Sequence, residues 1–139
     1  SLAADYDHVM ANPPYFDAAR HQPPSEPARA AAHHAGLGSL ARWIAFGLNR
    51  VRPGGTLTVI HRAERLGDLL AHLSGDGGGI RVVPLWPGEA APAKLVIVRA
   101  VKGSAAPLQL CRGLTLHRPG GGYTEAAEAV LRHGAALEP

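Results

Sequence analysis

Asn12, Pro13, Pro14 and Tyr15 are the residues whose types and spacing carry a recognisable chemistry. They follow the apolar run Val9-Met10-Ala11. An exocyclic amine or a side-chain amide is a poor nucleophile because its lone pair is delocalised into a π-system. The Asn12 side-chain oxygen and the Pro13 carbonyl can each accept one N–H of such a group, which favours the pyramidal nitrogen that accepts a methyl group. Tyr15 would then lie against the flat face of the acceptor.

The same four residues also have a purely structural interpretation. Proline cannot pair in a central strand and pushes the preceding residue towards extended geometry, so Pro-Pro is an ordinary way for a chain to leave a sheet. The order of the surrounding segments favours the chemical interpretation, because a strand, the motif, a polar loop over residues 17–36 and an amphipathic helix follow one another. A site at the carboxyl edge of a parallel sheet requires that order.

Length and composition indicate a single globular domain over residues 1–139. The chain has 46% hydrophobic and 18% charged residues, and no apolar stretch reaches membrane-spanning length. The single cysteine, Cys111, excludes an internal disulfide framework, and a reducing cytoplasm is the simplest setting. The eight histidines show no metal-ligand spacing, so we expect no metal site. A net charge of +3 is compatible with an acidic partner such as RNA.

The pattern of apolar residues predicts an α/β sheet. Tyr6–Ala11 is typical of a strand buried on both faces, because its later residues are continuously apolar. Arg52-Pro53-Gly54-Gly55 is predicted to end the first helix and turn the chain. The remaining predicted elements are a helix whose apolar stripe runs from Leu37 to Val51, a strand over Thr56–Ile60, a helix over Leu66–Leu73, strands over Ile80–Leu85 and Lys94–Val101, short strands over Leu108–Leu110 and Leu114–Leu116, and a helix over Glu125–Gly134 capped by Thr124. The sheet should be parallel first, end in an antiparallel hairpin and carry a small β-α appendage.

At three places the chain resembles the carboxyl-terminal half of a Rossmann-like, S-adenosylmethionine-dependent methyltransferase. These are Asn12–Tyr15 after a strand, Val51–Gly55 before the next strand, and the terminal hairpin. The tail, with Leu114–His117 followed by Gly122–Glu125, is similar to the bacterial adenine-N6 methyltransferases that modify a valine tRNA.

The resemblance implies roles for individual residues. Asn12 and Pro13 would be catalytic and hold the amine. The residues that would bind the substrate are Pro14, Tyr15, Phe16, Arg20 and Arg29. The resemblance further implies S-adenosylmethionine as the cofactor and tRNA as the partner, with the two arginines positioning phosphates.

Members of this family hold the cofactor with a glycine-rich turn and an acidic residue upstream of the Asn-Pro-Pro-Tyr strand, and the chain contains neither. We therefore expect the amino-terminal cofactor-binding portion to be absent, with Asn12 as a partial cofactor contact. We also expect this chain alone to bind S-adenosylmethionine weakly and to be inactive. The strand that carries Val9 and Met10 would lose a neighbour and expose an apolar edge, which predicts self-association.

Other functions remain open from the sequence. The same four residues serve a protein-glutamine N5 methyltransferase of the release-factor type, and fold does not fix the acceptor, so small-molecule O-methylation is a further alternative. A noncatalytic RNA-binding domain that retains the motif as a relic belongs to a different class.

Overall fold

The computed structural model of the protein describes residues 6–13 and 39–133. Its elements, in chain order, are strand β1 (Tyr6–Ala11), helix α1 (Leu40–Arg50), strand β2 (Val51–Arg62), a 3₁₀ turn (Ala63–Arg65), helix α2 (Leu66–Leu73), strands β3 (Gly77–Trp86), β4 (Leu95–Lys102), β5 (Gln109–Leu110) and β6 (Leu114–Thr115), and helix α3 (Glu125–His133). The predicted elements within these ranges are therefore present, with shifts at their ends.

One mixed sheet contains all the described strands, in the order β1-β2-β4-β3-β5, with β6 also paired to β3. β1 and β2 are parallel, whereas β2 with β4 and β4 with β3 are antiparallel. This confirms the α/β class and the change from parallel to antiparallel pairing. The short strands of the predicted appendage lie parallel to β3 and extend the same sheet.

The core lies on the face of the sheet that α1 and α2 cover. Alternate residues of β2 point into it, and Leu57 and Val59 are completely buried. Helix α1 approaches closely because Gly47 has no side chain, and a Cβ placed there would come within 2.8 Å of a Leu57 methyl. Helix α2 contributes Leu69 and Leu73 to the same core. Burial of this alternating row stabilises β2 in a single register.

The prediction that β1 is buried on both faces is wrong for this structure. Tyr6 is 53% exposed and Met10 is 78% exposed, whereas Val9 and Ala11 pack partly against the core. The reason is positional: β1 is an edge strand with β2 on one side, and among the described elements the helices cover one face of the sheet. Among the described strands β1 is thus an edge strand with Met10 exposed and Val9 half-buried, and the self-association expected from it stays a prediction.

Arg52–Gly55 does not form the predicted simple turn. Helix α1 ends at Arg50 and β2 already begins at Val51, which pairs with Tyr6 before the register shifts and His8 pairs with Thr56. The four residues form an irregularity inside β2, with Gly54 at a φ of 83°. Proline lacks the N–H needed for continuous pairing, and glycine accepts the left-handed conformation.

The ends of two helices follow their sequence signals. The Ser39 hydroxyl accepts a hydrogen bond from the Arg42 N–H at 3.3 Å and caps α1. The Thr124 hydroxyl accepts from the Ala127 N–H at 3.1 Å, which confirms Thr124 as the cap of α3. The same hydroxyl donates to the Thr115 carbonyl at 2.5 Å, so the cap also joins α3 to β6.

Candidate functional site

The carboxyl ends of β1 and β2 form the candidate site. The parallel ladder pairs Met10 with Thr58 and Ala11 with Val59, and the chain then leaves the sheet at Asn12. Asn12 is exposed, whereas Pro13 is less than 2% exposed. A buried proline anchors the backbone while the preceding amide side chain stays accessible, as the proposed acceptor chemistry needs.

Two helical segments begin at this edge. Helix α1 ends immediately before β2 starts, so its first turn points towards the carboxyl end of β1. The 3₁₀ turn starts directly after β2, and the Ala63 N–H donates to the Lys94 carbonyl at 2.8 Å, which ties the turn to the start of β4. Of the two, α1 is long enough for its beginning to carry a partial positive charge towards this edge.

The charged side chains after β2 are organised in pairs. Arg62 binds Glu64 at 3.2 Å and Arg65 binds Asp68 at 2.8 Å. Each carboxylate is thus already engaged by a guanidinium.

A further ion pair lies at the opposite end of β1. The Arg52 guanidinium donates a hydrogen bond to the Asp7 carboxylate, and its positive charge also stabilises the ionised carboxylate. Both effects hold the pKa of Asp7 below its ordinary value of 3.8. The next residue, His8, contacts the Thr56 hydroxyl with Nδ1 at 2.7 Å. These contacts lie at the irregularity between the Tyr6–Val51 and His8–Thr56 pairs, so they hold the start of β1 against β2 and stand away from Asn12.

Asn12 and Pro13 are the predicted site residues that the structure describes, one exposed and one buried, and their catalytic roles stay predictions. The substrate-binding candidates lie outside the described residues: Pro14, Tyr15, Phe16, Arg20 and Arg29. Their roles stay predictions.

Sequence reasoning missed one residue at this edge, His61. It is 1% exposed and ends the inward-facing row that begins with Leu57 and Val59. Its burial could have been predicted from the alternation of inward and outward residues along β2, because a residue two positions after Val59 points to the same face of the sheet.

The described residues do not suggest a metal centre. Within residues 6–13 and 39–133, no three His, Cys, Asp or Glu side chains are grouped closely enough to hold an ion.

In the part of the chain that the structure describes, no helix is both long and apolar enough to cross a membrane.

An apolar surface pocket lies at the end of the sheet opposite Asn12. It is lined by Leu70, Gly77–Ile80, Ala106 and Leu108. Gly77 pairs with Lys102 and Thr56 pairs with Val101, which places this pocket at the amino end of β2. It is therefore separate from the edge that carries Asn12.

Comparison with solved structures gives a clear fold match. A protein from Agrobacterium tumefaciens, Atu636, described as a predicted O-methyltransferase, superposes with a TM-score of 0.76 over 97% of this chain, at 24% sequence identity. This chain therefore has a methyltransferase-like fold. The chain spans 55% of the length of that structure.

A second solved structure is that of M1.HpyAVI in complex with SAM. Its match covers 74% of this chain and 47% of the M1.HpyAVI chain, with a TM-score of 0.40 and 16% sequence identity. No family model and no curated protein matches the sequence.

Two features of the described residues bear on whether they could hold a methyl donor. Asn12 is an exposed polar group at the end of β1, while Glu64, the carboxylate that follows β2, is bound by Arg62. The Gly120–Gly122 triplet has left-handed backbone angles and follows β6, which β2, β4 and β3 separate from β1 in the sheet.

Proposed function

We propose that this chain is the acceptor-binding part of an S-adenosylmethionine-dependent methyltransferase that acts on the N6 amine of adenine in tRNA. The observation that carries the proposal is the pair at the end of β1, an exposed Asn12 followed by a buried Pro13 at the carboxyl edge of two parallel strands. The methyltransferase fold supports the same reaction type.

The residues of this chain act on the acceptor nitrogen. The Asn12 side-chain oxygen and the Pro13 carbonyl each accept one N–H, which holds the amine and directs its lone pair away from the ring. S-Adenosylmethionine supplies the methyl group. The nitrogen gives up one proton to solvent as it becomes methylated, so the site needs acceptors for N–H groups and no strong base.

Charge supports an RNA acceptor over a small neutral one. The chain carries a net charge of +3, which is compatible with a polyanionic acceptor. Arg20 and Arg29 follow Tyr15 in the sequence, and basic side chains there would contact phosphates without reading the base sequence. Tyr15 would stack on an adenine turned out of the RNA.

Oxygen methylation is the second candidate, favoured by the description of the Agrobacterium protein. A hydroxyl must lose its proton to become a good nucleophile, and an asparagine amide cannot remove it. The carboxylates just after β2, Glu64 and Asp68, are both engaged by arginines. The described residues therefore support a nitrogen acceptor better than an oxygen acceptor.

The deciding experiment is methyl transfer from labelled S-adenosylmethionine by the full-length protein that carries this chain. Total tRNA, a release factor and a catechol are offered in parallel. Label recovered as N6-methyladenosine supports the proposal. Label in the release factor supports glutamine methylation, label in the catechol supports oxygen methylation, and label in none of the three favours a noncatalytic domain.

A further inference from the structure

The turn that follows β6 carries two exposed aromatic rings that the acceptor chemistry does not use. We call residues His117–Tyr123 the hairpin tip. The rings of His117 and Tyr123 are stacked, with centroids 5.0 Å apart and planes inclined by 22°. Both residues are exposed, and Tyr123 retains 40% of its accessible surface. Because His117 covers one face of the tyrosine ring, a further flat ring can extend the stack from the exposed side.

Backbone hydrogen bonds hold the hairpin tip in a defined shape. The His117 N–H donates to the Pro87 carbonyl at 3.0 Å, and the Arg118 N–H donates to the Gly122 carbonyl at 2.8 Å. The glycines of Gly120–Gly122 have φ values of 84°, 99° and 79°, a conformation that other residues rarely adopt. The rings are therefore in place before a ligand arrives, which lowers the entropy cost of binding.

The directions of the strands place the hairpin tip at the same edge of the sheet as Asn12. Arg62 at the end of β2 pairs with Leu95 of β4, and Leu95 also pairs with Leu85 of β3. β6 runs parallel to β3, with Leu114 opposite Leu85, so it ends at the edge where β1 and β2 end. The strands β2, β4 and β3 lie between β1 and β6. At about 4.8 Å from strand to strand, β1 and β6 are about 19 Å apart.

Arg118 adds a positive charge to the hairpin tip. It is exposed, and within residues 6–13 and 39–133 no carboxylate forms an ion pair with it. A guanidinium group binds phosphate through several N–H groups at once, and an aromatic ring receives the face of an unpaired base. Rings and a cation side by side are the combination by which proteins hold single-stranded RNA.

We propose that the hairpin tip is a second contact for the RNA acceptor, where Tyr123 stacks on an unpaired base and Arg118 binds a neighbouring phosphate. The inference rests on the proposed function, because that function supplies RNA as the ligand. Successive nucleotides of a helical strand rise by about 3.4 Å, so a distance of about 19 Å spans several of them. The base at the tip is therefore several nucleotides from the adenine held at Asn12, and the tip selects an RNA of sufficient length.

Substitutions of Tyr123 test the stacking contact in the full-length protein, with tRNA binding measured by filter retention. Tyr123→Phe keeps the ring, whereas Tyr123→Leu keeps only apolar volume. We expect tRNA affinity to fall about 5- to 100-fold in the Leu variant and to stay within about threefold in the Phe variant. Tyr6→Leu is the matched control, because Tyr6 is 53% exposed at the start of β1, at the opposite edge of the sheet. Equal affinities of the Tyr123→Leu and Tyr6→Leu variants overturn the proposal.

Substitutions of Arg118 test the phosphate contact by its dependence on salt. Arg118→Gln should reduce the slope of log affinity against log salt concentration by about 1, and Arg118→Lys should keep that slope. Arg112→Gln is the control, because Arg112 is an exposed arginine that precedes β6, whereas Arg118 follows it. A slope in the Arg118→Gln variant that equals that of the control removes the phosphate contact. Should Tyr123→Leu fail to fold, this comparison decides.

A comparison of single-stranded with duplex RNA separates stacking from a structural role of Tyr123. The bases of a duplex are already stacked on each other, so the hairpin tip should favour a single-stranded oligonucleotide over a duplex of the same sequence. The Tyr123→Leu variant should lose this preference. If Tyr123 only supports the hairpin, the loss of affinity follows the loss of thermal stability and the preference for single strands persists, which overturns the proposal.

Binding and methylation are measured separately, so the two proposals can fail separately. A wild type that methylates adenine in tRNA but binds it as well without the Tyr123 ring overturns the contact at the hairpin tip alone. A wild type that binds tRNA through Tyr123 and methylates no adenine supports that contact and counts against the proposed function alone.

Discussion

Ala11 of β1 pairs with Val59 of β2, so the exposed side chain of Asn12 stands one residue beyond the last parallel pair of this ladder. Parallel strands end at the same edge of a sheet, and the chain must leave them there. The buried Pro13 makes that exit rigid. The candidate site is therefore built by a strand end, and its geometry depends on the register of β1 against β2.

Asn12→Ala should lower turnover of the full-length protein by about 10²- to 10³-fold, as for the loss of one positioned hydrogen-bond acceptor in a transition state. The measurement is methyl transfer under saturating tRNA and S-adenosylmethionine. Asn49→Ala is the matched control, because Asn49 is an exposed asparagine on α1. Equal activity of the Asn12 variant and this control would contradict the mechanism.

The loop arginines are expected to contribute to RNA affinity. Replacing Arg20 and Arg29 together by alanine should weaken tRNA binding and reduce its dependence on salt, since each phosphate contact releases counterions. Binding is measured by filter retention at several salt concentrations. Arg112→Ala serves as the control, because Arg112 is exposed and lies next to β6, at the other side of the sheet. An unchanged salt dependence in the double variant removes the phosphate role.

Gly55→Ala should destabilise the protein by about 1–3 kcal/mol, the usual cost of overpacking. A Cβ at Gly55 would lie 2.5 Å from the Asp7 carbonyl oxygen and 2.7 Å from a Val51 methyl, so β1 would have to move away from β2. Gly67→Ala in α2 is the control, since nothing lies within 4 Å of its added methyl. That change should raise stability by about 0.5–1 kcal/mol through helix propensity. Thermal unfolding that ranks the two variants in the reverse order would refute this packing account.

The Asp7–Arg52 pair should make stability depend on pH in the acid range. Arg52 lowers the pKa of Asp7 in the folded state below 3.8, so the folded state binds this proton less readily than the unfolded state. The stabilisation is complete above 3.8 and is lost as the pH falls through the lower folded-state pKa. Both side chains are exposed, so the effect is small.

Asp7→Asn should accordingly lower the melting temperature slightly at neutral pH, and this difference from the wild type should shrink as the pH falls below 3.8. Asp76→Asn provides the comparison, because Asp76 is another exposed aspartate, between α2 and β3. A difference from the wild type that grows as the solution is acidified would show the opposite sign and reject the argument.

The edge strand β1 should cause concentrated protein to self-associate. Met10 is 78% exposed there, and an unpaired apolar edge invites pairing with a second strand. Met10→Lys is expected to lower the apparent mass in sedimentation at high concentration. Leu110→Lys is matched, because Leu110 is 76% exposed and lies on β5 at the other edge of the sheet. If the unsubstituted chain sediments as a monodisperse monomer at high concentration, the prediction is wrong.

S-Adenosylmethionine should bind the 139-residue chain alone only weakly, since no glycine-rich turn precedes Asn12 in the sequence. Isothermal titration calorimetry of this chain provides the test. Saturable binding in the micromolar range would show that the chain holds a donor site after all.

The local order of apolar and polar residues predicted much of the architecture. The alternation of Leu57 and Val59 and the helical stripe of α1 each required one buried face, so the types of these elements could be predicted without tertiary information. Thr124 was readable as a cap because its hydroxyl acts on a neighbour only three residues away. Asn12 and Pro13 could be proposed as a candidate site for the same reason, because they are adjacent in the chain.

Tertiary structure decided what depends on partners distant in sequence. The exposure of β1 could not be predicted from its apolar letters, because burial is set by which strands and helices lie beside it. Likewise, the near-complete burial of His61 depends on the elements that pack over the inward face of β2, which its own sequence neighbours do not reveal. A sequence records which side chains can hydrogen-bond or pack, whereas the fold decides which of them meet.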